Sequence, residues 1–107
     1  MMIDMTIILE ISTKNYLDDL LEIKKALSHM ETLLSAYNGF SVSEPVDNFG
    51  WTFFKISFKS ELQDGIEKKF ADMIQRYRFS SQKEKFAKFI TDYLNSKNCN
   101  VKIKVVD

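Results

Sequence analysis

The stretch Trp51-Thr-Phe-Phe-Lys-Ile-Ser-Phe-Lys59 constrains the fold more than any other part of the chain. Phe54, Ile56 and Phe58 alternate with Lys55, Ser57 and Lys59, so a period of two puts three large apolar groups on one face and polar groups on the other. A segment of this kind is a strand with one face against a core, and it predicts the central strand of a small α+β domain. Trp51 and Phe53 break the pattern. They place two aromatics on the face that should be wet.

The rest of the chain supplies partners for that strand. In Met5–Ser12, Ile7, Leu9 and Ile11 alternate with Thr6, Glu10 and Ser12, which predicts a first strand with Ile8 off the pattern. Thr13 to Asn38 predicts a long helix, because Tyr16, Leu20, Ile23, Leu27, Met30, Leu34 and Tyr37 recur at spacings of four and three, with Leu17 and Leu33 widening the stripe. Asn38-Gly39 is the expected stop, with the glycine left-handed. Phe40–Val46 predicts a second strand with Pro45 near its end or on an edge, since proline cannot donate to a ladder. Asp47-Asn-Phe-Gly50 predicts a tight turn, so the second strand and the Trp51 strand should form a hairpin.

Beyond the central strand, Ser60-x-x-Gln63 has the form of a capping box, and Asp64 is an alternative N-cap that would spare the helix interior the cost of Gly65. Ile66, Phe70, Met73, Ile74 and Tyr77 carry the second helix to a break over Arg78–Ser81. Ser81-x-x-Glu84 is another capping box, followed by a third helix with the stripe Phe86, Phe89, Ile90, Tyr93 and Leu94. A polar turn, Asn95–Asn100, leads to a last strand in which Val101, Ile103 and Val105 alternate with Lys102 and Lys104. The order β-α-β-β-α-α-β predicts one α+β domain over residues 1–107. Its sheet should be four-stranded and antiparallel, in the ferredoxin-like order 4-1-3-2, with the helices on one face.

A chain of 107 residues, 45% apolar and 28% charged, is long enough to bury a core without metal or disulfides. No apolar run reaches membrane-span length, and Met1-Met-Ile-Asp-Met-Thr has neither the basic region nor the cleavage site of a signal peptide. The lone cysteine, Cys99, forms no internal disulfide, so the expected location is cytoplasmic. Net charge is zero but divided: residues 1–50 carry −5 and residues 51–107 carry +5. Lys68, Lys69, Arg76, Arg78, Lys83, Lys85 and Lys88 concentrate the basic half, either as solvated helix faces or as a patch for an acidic partner.

Catalytic constellations are hard to assemble from these residues. One histidine, His29, and one cysteine do not supply a zinc or iron–sulfur ligand set. Three scattered glycines do not make a phosphate-cradling loop. Asp18 and Glu22 share a helix face, and Glu61, Asp64 and Glu67 gather at the next helix start, where helix dipoles account for them. The expectation is no enzyme, no cofactor and no metal.

One resemblance stands out. Gly50, Trp51 and Phe53 match the glycine and aromatic positions in the third-strand signature of RNA-recognition-motif domains, while Phe49, Thr52, Phe54 and Ile56 depart from it. In that family the two exposed aromatics stack bases, a role the resemblance assigns to Trp51 and Phe53. Lys55, Lys59, Lys102 and Lys104 would share their face.

The expected occupants of the helix-free face run from Thr6, Ile8 and Glu10 through Ser41, Ser43, Trp51 and Phe53 to Lys55, Lys102, Lys104 and Val106. An apolar centre with a charged rim is the composition of a modest protein-binding surface, with Trp51 and Phe53 as anchors. The sequence therefore predicts a non-enzymatic protein-binding module, in concrete form an immunity-, antitoxin- or phage-type inhibitor that blocks a partner such as a toxin domain. Asp18, Asp19 and Glu22 would steer it toward a basic partner. The alternatives are a single-stranded RNA or DNA binder, a homodimer that covers the face, and a small enzyme or regulatory ligand-binding dimer; no membrane partner is expected.

Overall fold

A computed structural model describes residues 6–78 and 81–106. Five strands and four helices follow in the order β1 (Ile8–Thr13), α1 (Tyr16–Leu34), β2 (Phe40–Val42), β3 (Val46–Asn48), β4 (Trp51–Phe58), α2 (Ser60–Lys69), α3 (Ala71–Gln75), α4 (Gln82–Ser96) and β5 (Lys102–Val106). The strands make one antiparallel sheet in the order β2-β4-β1-β5, and β3 pairs with β4 as well. This corrects the four-stranded 4-1-3-2 sheet expected from sequence: the sheet has five strands.

The fifth strand arises from a bulge. β2 pairs with β4 through Val42↔Ile56, and β3 resumes through Val46↔Phe53, one residue out of step. The extra residue falls at Glu44-Pro45, where proline has no amide to donate. Just before it, Ser43 N–H donates to the Lys55 carbonyl at 2.9 Å, and the Lys55 N–H donates to Ser43 Oγ at 2.8 Å. The serine side chain thus satisfies a ladder position as the strand kinks. β3 then closes on β4 through a two-residue turn, Phe49-Gly50, with φ of 53° and 80°. Both are left-handed, as a type I′ hairpin turn requires.

Period two holds along the central strand. Phe54, Ile56 and Phe58 are buried, as are Ile7, Leu9 and Ile11 on the same face beside them. The helices cover this face: Tyr16 of α1 meets Phe54 edge-on at 5.4 Å, and Phe86 of α4 meets Phe58 at 5.2 Å. α1 buries Ile23, Ala26, Leu27 and Met30, and α4 buries Phe86, Ala87, Phe89, Ile90 and Leu94. The Ser81 cap of α4 is made as the sequence predicts, its hydroxyl accepting the Glu84 N–H at 3.1 Å.

Several local expectations are corrected. α1 stops at Leu34, because Ser35 takes the left-handed conformation expected at Gly39. Tyr37 therefore lies beyond the helix and is exposed, and Leu17 and Leu33 are exposed as well and do not widen the buried stripe. Gly39 serves a different purpose. It is buried where any side chain would run into Leu62 of α2, and its N–H donates to Glu31 Oε2 at 2.7 Å. Gly65 lies inside α2, whose N-cap is Lys59, and faces Leu34 of α1 at close range. The single helix expected from Ser60 to Tyr77 breaks at Phe70 into α2 and α3; Phe70 turns instead onto Phe89 at 4.9 Å. Of the break expected over Arg78–Ser81, residues 79 and 80 lie outside the described residues, as does Met5 of the first strand.

Candidate functional site

The second face of the sheet carries the polar half of each strand's alternation. Among the described residues no helix packs on it, and none of its side chains is fully buried. Register sets its layout row by row. Asn48 stands beside Trp51; Val46, Phe53, Ser12 and Lys102 form the next row; Lys55, Glu10 and Lys104 the third; Ser41, Ser57, Ile8 and Val106 the last. Aromatic and cationic groups thus gather at the Trp51 end, and small serines with aliphatic Ile8 and Val106 at the other.

Two cations lie against the Trp51 ring. The Lys14 Nζ lies 4.7 Å and the Lys102 Nζ 4.9 Å from the centre of its ring. Both arrive by register. Lys14 directly follows β1, in which Thr13 pairs with Thr52, so it comes level with Trp51; Lys102 reaches across Ser12. Such contacts contribute about 0.5–1 kcal/mol at exposed sites. The third row is partly neutralised, because Lys104 Nζ pairs with Glu10 Oε1 at 3.4 Å. Lys14, Lys55 and Lys102 form no ion pair among the described residues.

Two shallow hollows flank Phe53. One, of about 240 Å³, lies between Trp51, Phe53, Ser12 and Lys102. The other, of about 490 Å³, opens toward the bulge and is lined by Val46, Glu44, Lys55 and Glu10. At the hairpin tip Phe49 is 95% exposed, and Val46 below it is 62% exposed. Phe49 is thus the most protruding aromatic next to this surface.

The sequence-predicted site residues separate into two places. Trp51, Phe53, Lys55, Lys102 and Lys104 share the open face. Asp18, Asp19 and Glu22 lie on α1, in the layer that packs on the opposite side of the sheet. Of these, Asp19 accepts a hydrogen bond from Thr13 Oγ1, and Glu22 sits 3.7 Å from Lys25. Only Asp18 is exposed without either kind of engagement. The acidic trio and the aromatic face are not one site.

Sequence reasoning missed Lys14, Val46 and Phe49. Lys14 cannot be placed without the β1–β4 register, and Val46 hides behind the bulge. Phe49 did leave a signal: an aromatic stands before glycine in a hairpin turn, where asparagine or aspartate is the usual choice.

Elsewhere the chemistry is quiet. Among the described residues no group of three or more His, Cys, Asp or Glu is placed to hold a metal ion. His29 is exposed on α1. Cys99 is fully buried, and that burial, with the charges of Asp19 and Glu22 nearby, pushes its thiol from 9.0 up to about 11. Within the basic segment, Lys88 pairs with Asp92 at 3.2 Å and Lys85 donates to Gln75. No described helix is long and apolar enough to cross a membrane. No protein-family model, no curated protein and no solved structure matches this chain.

Proposed function

We propose that this chain is a small, non-enzymatic binding module that engages a partner protein through the open face of its sheet and the hairpin beside it. Phe49 carries the reading. A non-glycine residue held left-handed costs about 1 kcal/mol, and a side chain 95% exposed recovers almost none of that through burial. Next to it, Val46, Trp51 and Phe53 extend an apolar strip rimmed by lysines, the composition of an interface centre and its border.

An inhibitor of the immunity, antitoxin or phage kind, blocking the protein it binds in the cytoplasm, is the concrete version of this proposal. It rests on size and single-domain build alone. Base stacking is the less favoured use of the face, since a base on Trp51 must first displace Lys14 or Lys102 from the ring. Ser12, not an aromatic, lies beside Phe53.

Affinity capture from the native host's lysate, with and without nuclease, separates these uses. One stoichiometric protein that survives nuclease supports the module. Recovery that depends on nucleic acid, with excess absorbance at 260 nm, overturns it in favour of a nucleic-acid site.

A further inference from the structure

We infer that the partner segment seated on this face is an extended acidic peptide, with an apolar side chain between Trp51 and Phe53 and carboxylates against Lys14 and Lys102. The inference rests on the binding-module reading above and names the chemistry of what that module takes. Charge decides it. The face and its margins present Lys14, Lys55, Lys102 and Lys104 against Glu10 and Glu44, and Glu10 is already engaged by Lys104. Lys14 and Lys102 stand at the Trp51 end and form no ion pair among the described residues; Asp18 borders a hollow on the Lys14 side and leaves the indole face to the two lysines.

Geometry adds the apolar element. The hollow of about 240 Å³ is floored by Ser12 and walled by Trp51, Phe53 and the Lys102 side chain. Its size suits one apolar side chain, with an ammonium at its edge. A carboxylate next to that side chain in the partner would draw Lys102 or Lys14 off the indole and onto itself. The gain is a charge-assisted hydrogen bond in place of a cation–ring contact. A second copy of this chain is a poor occupant, because two such lysine rims would face each other. Nucleic acid shares the negative charge but presents flat bases to a ring already covered.

Trp51 is the only tryptophan, so its emission reports this corner directly. The test is a fluorescence titration with three synthetic peptides of about twelve residues, alike in apolar spacing. One carries Asp and Glu between the apolar positions, one Gln, and one Lys; oligo(dT) is a fourth probe. The expected result is saturable binding of the acidic peptide alone, weakening as salt rises. The double variant Lys14→Gln, Lys102→Gln should bind it about tenfold more weakly, while Lys83→Gln binds as the wild type does. All three lysines lie outside the buried core, and thermal melts verify that each variant is folded. Equal binding of the Gln and acidic peptides overturns the acidic partner and leaves the peptide-binding face standing. Binding of oligo(dT) alone overturns both, and no response to any probe overturns the inference.

Discussion

The two faces of β4 are built from the same kinds of residue and behave differently. On one, Phe54, Ile56 and Phe58 are sealed under α1 and α4. On the other, Trp51 and Phe53 stay half-exposed among lysines, with Phe49 standing clear at the turn. Aromatic content alone does not separate core from surface; its surroundings do. The first face buries its aromatics against helices and stabilises the fold. The second face keeps large apolar area in water, where it contributes little to folding and is free to be covered by a partner.

Removing a ring from each face makes the sharpest contrast. Phe54→Ala should cost about 3–5 kcal/mol in chemical denaturation, the loss expected for a buried aromatic. Phe53→Ala, two residues away on the wet side, should cost less than half of that. Equal losses would erase the distinction between the faces. Next in size is Gly39→Ala. The new methyl must push against Leu62, and an overpacked core typically loses about 1–3 kcal/mol. Partner binding at the open face should be untouched.

The pH dependence follows from Cys99, on the buried side. The unfolded chain gives up the thiol proton near its ordinary 9.0, whereas the folded chain keeps it to about 11. Between those values the unfolded state binds fewer protons, so stability is fully present below pH 9 and falls as pH rises toward about 11. Cys99→Ala should flatten this decline in denaturation curves. The native thiol should resist alkylation until the chain unfolds. The smallest effect has the opposite sign. Phe49→Asn creates the favoured Asn-Gly turn and should raise stability by about 0.5–1 kcal/mol while weakening partner binding. A loss of stability would mean that Phe49 serves the fold after all.

Much of this division is legible in the sequence, because alternation in Trp51–Phe58 and helical spacing in α1 and α4 are local signals. The alternation assigned Phe54, Ile56 and Phe58 to the core, and Trp51, Phe53, Lys55, Lys102 and Lys104 to the other face. What escaped depended on contacts between distant residues. The bulge at Glu44-Pro45 reverses the alternation of β3 and so conceals Val46 and the fifth strand. Lys14 joins Trp51 only through the β1–β4 register. Gly39 reads as a helix stop, but its role is set by Leu62, far along the chain. Leu17 and Leu33 lie near the apolar stripe of α1 yet are exposed, which helical spacing alone does not reveal. Asp18, Asp19 and Glu22 are legible as an acidic group on α1, but the Thr13 hydrogen bond to Asp19 and the Lys25 pairing of Glu22 are not.

The most direct test of the division between the faces is a lysate capture with wild type and Trp51→Ala side by side, after thermal melts of both. The Trp51→Ala protein should be folded, with a melting temperature close to wild type, and should lose the partner protein the wild type recovers. A variant that keeps the partner in full, or that fails to fold, would place Trp51 outside the binding surface or inside the core, and would contradict the account.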